Sequence, residues 1–280
     1  MHPARLLRLK SSIWLTLLLG FGSQCAAADR FAVSWTNNLL TLRHPKLPGG
    51  PVSVFYLEAF LRTGANQRDW RQSVLPHQTR LVASDRKGRW LKFRTEVQPH
   101  VEVWHEVRAR RDEVEFDFTF HNRDTQPVDL QWFQPACIRV AGFTGRDQQS
   151  FIDRSFIYTA EGRTWLRDTD RTIDALYRGG QVFPMPGIEA IEANPRPLAR
   201  KRPVNGLVGC VSADDQWILA TASDRTHELF EGVYVCLHSD PHLGGLKAGE
   251  RRKVRAKVYF VPNQPARLLA RYRHDFPAGK

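Results

Sequence analysis

Apolar and polar side chains alternate without a break over residues 114–120, and this pattern restricts the fold more than any other feature of the chain. Apolar residues occupy the even positions and polar residues the odd ones. Successive side chains of a strand point to opposite faces, so the pattern predicts a strand with one buried and one wet face. Further strand-like runs lie at residues 31–35, 90–97, 101–108, 128–140, 206–212, 216–222, 232–238 and 252–261.

Turn residues separate these runs at positions 85–88, 122–124, 214–215 and 247–249. A convincing helical pattern is confined to residues 264–272. Short strands joined by turns are typical of sandwiches. The sequence therefore predicts an all-β fold, a large antiparallel β-sandwich with a short C-terminal helix.

Residues 141–204 interrupt this rhythm and are rich in glycine and proline. They also carry aromatic residues, such as Tyr158, Trp165 and Phe183, which are scarce in disordered segments. We therefore expect an ordered but irregular, loop-rich insertion packed over the sandwich. A single β-sandwich domain over residues 29–280 would contain it.

Residues 1–28 have the three-part layout of a secretory signal peptide. Arg5, Arg8 and Lys10 form a positive leader, an apolar stretch follows, and small residues end at Ala28. The apolar stretch is shorter than the ~20 residues that a membrane span needs. We predict cleavage near Ala28, a secreted or periplasmic location, and no stable membrane insertion after cleavage.

The chain carries 41 Lys and Arg against 29 Asp and Glu, a formal net charge of +12. The arginines are scattered, with short clusters such as residues 108–111 and 251–253. Nucleic-acid binders gather their charge on one face or tail, so we expect no nucleic-acid partner. The excess of basic residues predicts a solvated, positively charged surface that favours a carbohydrate or anionic polysaccharide as partner.

Removal of the leader leaves three cysteines, Cys137, Cys210 and Cys236. All three lie in apolar, strand-like runs, which favours buried free thiols. A single intramolecular disulfide is the alternative and would leave one thiol free. We assign no metal ligand and no cofactor from the sequence.

The densest group of reactive side chains lies in residues 226–242. Our catalytic candidates are His227, Glu228, Glu231 and His238, with imidazole as acid or base and carboxylate as its partner. The His-x-Asp-x-His spacing at the end of this segment could instead place ligands around a metal. A structural role, in which these polar groups bind backbone, is the third interpretation.

Five residues are candidates for substrate binding: Trp104, Trp132, Arg154, Arg171 and Arg196. Indole rings can stack on a sugar ring, and guanidinium groups bind carboxylates through two parallel hydrogen bonds. The alternative is core packing for the two tryptophans and surface ion pairs for the three arginines.

Residues 114–135, VEFDFTFHNRDTQPVDLQWFQP, resemble a recurring unit of the galactose-mutarotase-like supersandwich. In that unit an alternating strand runs into an Asn-containing turn, a proline and a second strand; Asn122 and Pro127 occupy these positions. The resemblance implies a supersandwich-like fold and a sugar-related role. Mutarotases carry a catalytic histidine shortly after this turn, whereas residues 130–133 read LQWF, so mutarotase chemistry is not implied.

These observations predict an exported protein that acts on or binds a glycan, with an anionic glycan as a candidate. The groove would lie between the sandwich and residues 141–204. Two alternatives remain open: a non-catalytic structural or adhesive module of the envelope, and a metal-dependent hydrolase that uses residues 227–242.

Overall fold

The computed structural model describes residues 29–178 and 180–277. The predicted signal peptide, residues 1–28, lies outside these residues. Within them, the strands form two antiparallel sheets of seven and nine strands, whose inner faces meet in one large hydrophobic core. The predicted antiparallel β-sandwich with a short C-terminal helix is confirmed. No helix of the described residues is long and apolar enough to cross a membrane.

The seven-stranded sheet contains, in spatial order, β1 (Ala32–Thr36), β2 (Leu39–Arg43), β3 (Val52–Leu61), β8 (Trp132–Arg139), β15 (Cys236–Pro241), β14 (Thr226–Gly232) and β11 (Gln181–Pro184). The nine-stranded sheet contains β10 (Gly162–Trp165), β9 (Ser155–Thr159), β12 (Val208–Val211), β13 (Trp217–Ser223), β16 (Arg251–Pro262), β7 (Glu113–Asn122), β6 (Val101–Ala109), β5 (Trp90–Val97) and β4 (His77–Ser84).

Helices are short apart from the last one. They are α1 (Trp70–Ser73), α2 (Ala141–Thr144), α3 (Gln148–Arg154), α4 (Ile173–Arg178) and α5 (Pro265–Asp275), with single 3₁₀ turns at Leu166–Asp168 and Ala190–Glu192.

Strand β7 has the two faces that its alternation predicts. Phe116, Phe118 and Phe120 are buried in the core. On the other face, Asp117 accepts a hydrogen bond from Arg108 of β6 at 2.5 Å. Each buried phenylalanine contributes roughly 1.5–3 kcal/mol, whereas the exposed pair contributes about 1 kcal/mol or less. The apolar face therefore determines how this strand packs.

Residues 141–204 are more regular than predicted, because they contribute strands to both sheets. Strands β9 and β10 extend the nine-stranded sheet, and β11 forms an edge of the seven-stranded one. All five residues of β9 are buried. A strand that is buried on both faces shows no alternation of apolar and polar residues, so the sequence of β9 does not indicate a strand.

Helix α5 covers part of the outer face of the nine-stranded sheet. Leu268 is buried in a cluster with Ile218 of β13. Pro265 begins the helix, where its missing N–H costs no hydrogen bond. The Tyr272 hydroxyl accepts a hydrogen bond from the backbone N–H of Gly206 at 3.1 Å, which fixes the end of the helix beside the sandwich.

Two segments cover the centre of the outer face of the seven-stranded sheet. Residues 61–74 pack against Trp132 of β8, and residues 190–198 place Ala193 against Phe230 of β14. All six residues of β15 and nearly all of β8 and β14 are consequently buried. Several polar residues of these strands, such as His238 and Asp240, are therefore removed from water on the face opposite the main core.

His105 is a polar group inside the main core. Its Nδ1 lies 2.7 Å from the Tyr56 hydroxyl, and its Nε2 lies 2.9 Å from Thr95 Oγ1. The ring stacks on Phe93 with a centroid distance of 5.0 Å. Burial lowers the pKa of His105 to about 3, so the folded protein keeps this imidazole neutral.

Replacing His105 with Gln should reduce the pH dependence of stability. The unfolded chain takes up a proton at this residue near the ordinary pKa of 6.5, whereas the folded chain does so only near about 3. The stabilisation that the neutral His105 contributes is therefore complete above pH 6.5. Between pH 6.5 and about 3 the free energy of unfolding falls by about 1.4 kcal/mol for each unit by which the pH is lowered. Urea unfolding across this pH range measures it.

His100→Gln is the matched control, because the His100 side chain is 63% exposed. This variant should keep the pH dependence of the original chain. Equal slopes in the original chain and in His105→Gln would show that His105 does not remain neutral on folding.

Candidate functional site

A cleft of about 620 Å³ opens where residues 185–206, the turn between β13 and β14, and helix α5 meet. Met185 and Ile188 supply apolar surface from the insertion, and Phe276 supplies an aromatic ring beyond the end of α5. The hydrogen-bonding or charged residues of its lining are Asn205, Ser223, Asp224, Arg225, Thr226, His242, Tyr272 and Arg273.

Three aromatic rings stand in a row behind this cleft. Trp132 stacks on His227 with centroids 4.9 Å apart, and His227 stacks on His242 with centroids 5.4 Å apart. Trp132 and His227 are buried, whereas His242 is half-buried and lines the cleft. The row therefore connects the cleft with the covered face of the seven-stranded sheet.

Hydrogen bonds along the row define which ring nitrogen of His242 is free. His227 Nε2 lies 3.1 Å from the Glu192 carbonyl oxygen, which can only accept, so this nitrogen carries the proton. The Nδ1 of a neutral His227 is then an acceptor, and it receives a hydrogen bond from His242 Nδ1 at 3.2 Å. A neutral His242 is left with an unprotonated Nε2.

Both imidazoles of the row favour the neutral form. Burial, with a smaller contribution from His242, lowers the pKa of His227 to about 3. Burial also lowers the pKa of His242, and the charges of Arg225 and Arg252 act in the same direction. His242 therefore offers a ligand in the cleft a hydrogen-bond acceptor rather than a positive charge.

Beneath the covering segments, the outer face of the seven-stranded sheet carries a buried polar cluster, which we define as Gln134, Cys137, Cys236, His238 and Asp240. Cys236 Sγ lies 3.4 Å from His238 Nε2. Gln134 Nε2 donates to Asp240 Oδ2 at 3.0 Å. The ligand atoms of Cys137, Cys236 and His238 lie within 4.8 Å of one another, a spacing that could hold a metal ion.

Strand register brings this cluster together. Leu237 of β15 pairs with Ile138 of β8 in the antiparallel sense, and one further step places His238 opposite Cys137. Cys236 precedes His238 by two residues on the same strand, so both side chains point to the same face. The two cysteines and the histidine therefore meet across the central pair of strands.

Asp240 of this cluster faces a second buried carboxyl group, that of Glu228. Glu228 of β14 pairs with Asp240 of β15, and the backbone N–H of Asn194 donates to Glu228 Oε2 at 3.0 Å. Burial, together with the neighbouring charge of Asp240, raises the pKa of Glu228 well above its usual range. Burial raises the pKa of Asp240 as well. Neighbouring like charges oppose each other, which favours a protonated Glu228.

The four predicted catalytic residues lie in three different surroundings. His227 contacts His242 behind the cleft, because an irregular register at this point of β14 turns its ring towards Trp132. Glu228 and His238 lie on the covered face, with His238 inside the polar cluster. The fourth, Glu231, forms a buried ion pair with Arg171.

Among the described residues that line the cleft, none is one of the five predicted substrate-binding residues. Trp132 belongs to the row of rings, and Arg171 is held by its buried ion pair. Arg154 Nη1 donates to the Ser212 carbonyl oxygen at 2.9 Å and to Asp215 at 2.5 Å.

The other two, Trp104 and Arg196, also lie outside the cleft. Trp104 stands on the outer face of the nine-stranded sheet, with the Lys92 ammonium group 5.5 Å from its ring centroid. Arg196 is exposed on the covering segment, and its backbone N–H donates to the Asn194 carbonyl oxygen.

Sequence reasoning did not find Cys137 as a partner of His238, or Arg225 and Tyr272 as neighbours in a cleft. The pairing of β8 with β15 joins distant parts of the chain, and no local pattern indicates its register. Arg225 could have been noticed, because it follows Asp224 in the turn between two strands and directly precedes the segment of predicted catalytic residues.

No family model matches the chain, and no curated protein matches it. Solved structures are similar to it at low identity. A galactose mutarotase-like protein from Lactobacillus casei shares 10% identity with a TM-score of 0.44, over 82% of this chain and 99% of that one. Galactose 1-epimerase from Lactobacillus acidophilus shares 11% identity with a TM-score of 0.42, over 84% of this chain and 98% of that one.

A galactose mutarotase related enzyme from Lactobacillus acidophilus shares 9% identity with a TM-score of 0.42, over 82% of this chain and 97% of that one. No residue role is transferred from these structures.

Replacing Arg171 with Met should destabilise the protein strongly. The side chains of Arg171 and Glu231 are 7% and 0% exposed, so the variant would leave a buried carboxylate without its partner. Breaking a buried pair in this way costs about 3–5 kcal/mol. Urea unfolding at neutral pH measures the loss.

Arg154→Met is the matched control, since its partner Asp215 is 67% exposed. An exposed ion pair contributes about 1 kcal/mol or less, so this variant should remain close to the original chain. A stable Arg171→Met protein with impaired ligand binding would contradict the structural role and restore Arg171 as a binding residue.

Proposed function

We propose that the protein is exported and binds a glycan, preferably an anionic one, in the cleft between residues 185–206, the sandwich and helix α5. The observation that supports this most is the composition of the cleft. It places an unprotonated imidazole nitrogen, two arginines and an aromatic hydroxyl around one space.

A sugar presents hydroxyl groups that both donate and accept hydrogen bonds, so its site needs both kinds of partner. The free Nε2 of His242 is an acceptor, and its position is fixed by stacking on the buried His227. Asn205 and Thr226 add groups that donate and accept. Tyr272, whose hydroxyl already accepts from Gly206, adds a ring edge and a hydroxyl proton.

Arg225 and Arg273 account for the preference for an anion. Both side chains are exposed, and no carboxylate of residues 29–178 or 180–277 forms an ion pair with either. A guanidinium group binds a carboxylate or a sulfate through charge-assisted hydrogen bonds. Both guanidinium groups are therefore available to a ligand in the cleft, whereas that of Arg108, for example, is held by Asp117.

Binding should be measured by calorimetry with an oligogalacturonate, a sulfated oligosaccharide and a neutral cello-oligosaccharide. The double variant Arg225→Ala with Arg273→Ala should lower affinity for the anionic probes at least about 10-fold, because each hydrogen bond to a charged group contributes about 1.5–3 kcal/mol. His242→Phe keeps an aromatic ring but removes both ring nitrogens, Nε2 in the cleft and the Nδ1 that contacts His227, and should lower affinity about 2- to 10-fold for any sugar that uses the Nε2 acceptor.

Arg196→Ala is the matched control, since Arg196 is an exposed arginine of the covering segment outside the cleft. It should bind as the original chain does. Absence of binding to all three probes, or binding that the cleft variants leave unchanged, would contradict the proposed site. Preference for the neutral probe would contradict the anionic part alone.

Export rests on the leader layout of residues 1–28. The native protein should begin near Asp29, and N-terminal sequencing of material from the cell envelope or the medium tests this. Recovery of the intact leader on the native protein would contradict export by cleavage.

A further inference from the structure

We propose that Cys137, Cys236 and His238 bind one Zn²⁺ ion on the covered face of the seven-stranded sheet. This site is separate from the cleft, and its presence does not depend on glycan binding.

The donor atoms have the spacing of a tetrahedral zinc site. With Zn–S near 2.3 Å and Zn–N near 2.0–2.1 Å, tetrahedral ligands put two sulfurs about 3.8 Å apart and a sulfur and a nitrogen about 3.6 Å apart. Cys236 Sγ lies 3.4 Å from His238 Nε2, and all three donor atoms fit within 4.8 Å. Small movements of side chains would complete the geometry.

Register favours a metal over a disulfide between the two cysteines. Cys236 pairs with Arg139, and Cys137 lies two residues before Arg139 on β8, so the cysteines are diagonal neighbours. The Cα atoms of diagonal neighbours lie about 7–8 Å apart, beyond the roughly 4.4–6.8 Å of a disulfide. A metal ion between the two sulfurs spans the longer separation.

The other ring nitrogen of His238 has the environment of a metal-bound histidine. Zinc-binding histidines commonly present their second nitrogen to a carboxylate, which fixes the ring and its protonation. His238 Nδ1 lies 3.6 Å from Asp240 Oδ1, beyond hydrogen-bond distance, and neither atom has a hydrogen-bond partner, so a small approach of the two side chains would join them. Gln134 holds the other oxygen of Asp240 at 3.0 Å. Nε2 is thereby directed to the sulfurs.

Glu58 of β3 is the candidate for a fourth ligand. Glu58 is half-buried, its Oε2 is buried without a hydrogen-bond partner, and its carboxyl group interacts electrostatically with His238 and Cys137. Zinc accepts a carboxylate oxygen together with sulfur and nitrogen. Among the described residues, the group within 4.8 Å contains Cys137, Cys236 and His238 only, so Glu58 would have to move towards it to become the fourth ligand.

The neighbouring strand leaves room for the sulfurs. Gly232 pairs with Cys236 across β14 and β15, and a Cβ atom at Gly232 would lie 2.4 Å from Cys236 Sγ. Only a residue without a side chain permits the thiol to occupy this position. A zinc ion there would join β8 and β15, the central strands of the sheet.

The test uses the full chain refolded from urea under reducing conditions with one equivalent of Co²⁺ or Zn²⁺. Co²⁺ should produce a thiolate-to-metal charge-transfer absorption, which requires cysteine ligands. Zn²⁺ should be retained at one ion per chain after gel filtration, measured by elemental analysis, and should raise the melting temperature because it binds only the folded state.

Cys137→Ser and Cys236→Ser should each weaken zinc binding at least about 100-fold, and Asp240→Asn about 10- to 100-fold, as loss of an outer partner of a ligand does. Cys210→Ser is the matched control, because Cys210 is equally buried but lies on β12 in the other sheet. It should bind zinc as the original chain does.

Three results would overturn the proposal. One is absence of the charge-transfer band in the original chain, which needs no variant to fold. Another is retention of one zinc ion with unchanged affinity in both Cys137→Ser and Cys236→Ser. The third is a Cys137–Cys236 disulfide in the native protein, found by mass spectrometry of unreduced peptides. None of these results bears on the glycan affinity of the cleft.

Discussion

Burial of β8, β15 and β14, three strands of the seven-stranded sheet, on both faces is the constraint on which the rest of the structure depends. One face packs on the main core, and the other lies beneath residues 61–74 and 190–198. Polar groups on the covered face lose their contact with water, so each must find a partner or change its protonation state. Asp240 receives a hydrogen bond from Gln134, and Glu228 receives one from a backbone N–H while its raised pKa favours the neutral form.

The covering segment also determines the chemistry of the cleft. The Glu192 carbonyl oxygen accepts a hydrogen bond from His227 Nε2, which leaves His227 Nδ1 as an acceptor. His242 Nδ1 donates to that acceptor, so the Nε2 of a neutral His242 carries no proton. The acceptor that His242 offers to a ligand is thus set by a backbone contact made outside the cleft. The buried cysteines and His238 lie on the same covered face, where they add a second site of different chemistry.

Strands that have one wet face could be predicted from their alternation, and some strands buried on both faces, such as β8 and β12, from their apolar runs, whereas β9 and β3 could not be predicted. Residues 114–120 alternate because one side of β7 faces solvent, and α5 could be recognised from its own helical pattern. Strand β9 is buried throughout, and residues 52–61 form a strand with a register shift that breaks its alternation. Period-two patterning carries no information about such segments.

For the candidate sites, the sequence by itself determined which residue types are present and, through alternation, which of them share a face of one strand. Cys236 and His238 could therefore be placed side by side on β15. Only the tertiary structure decided that Cys137 joins them and that His242 meets Arg225 in a cleft. The physical reason is register: a shift by one residue between β8 and β15 would leave each strand's pattern intact yet change every partner across it.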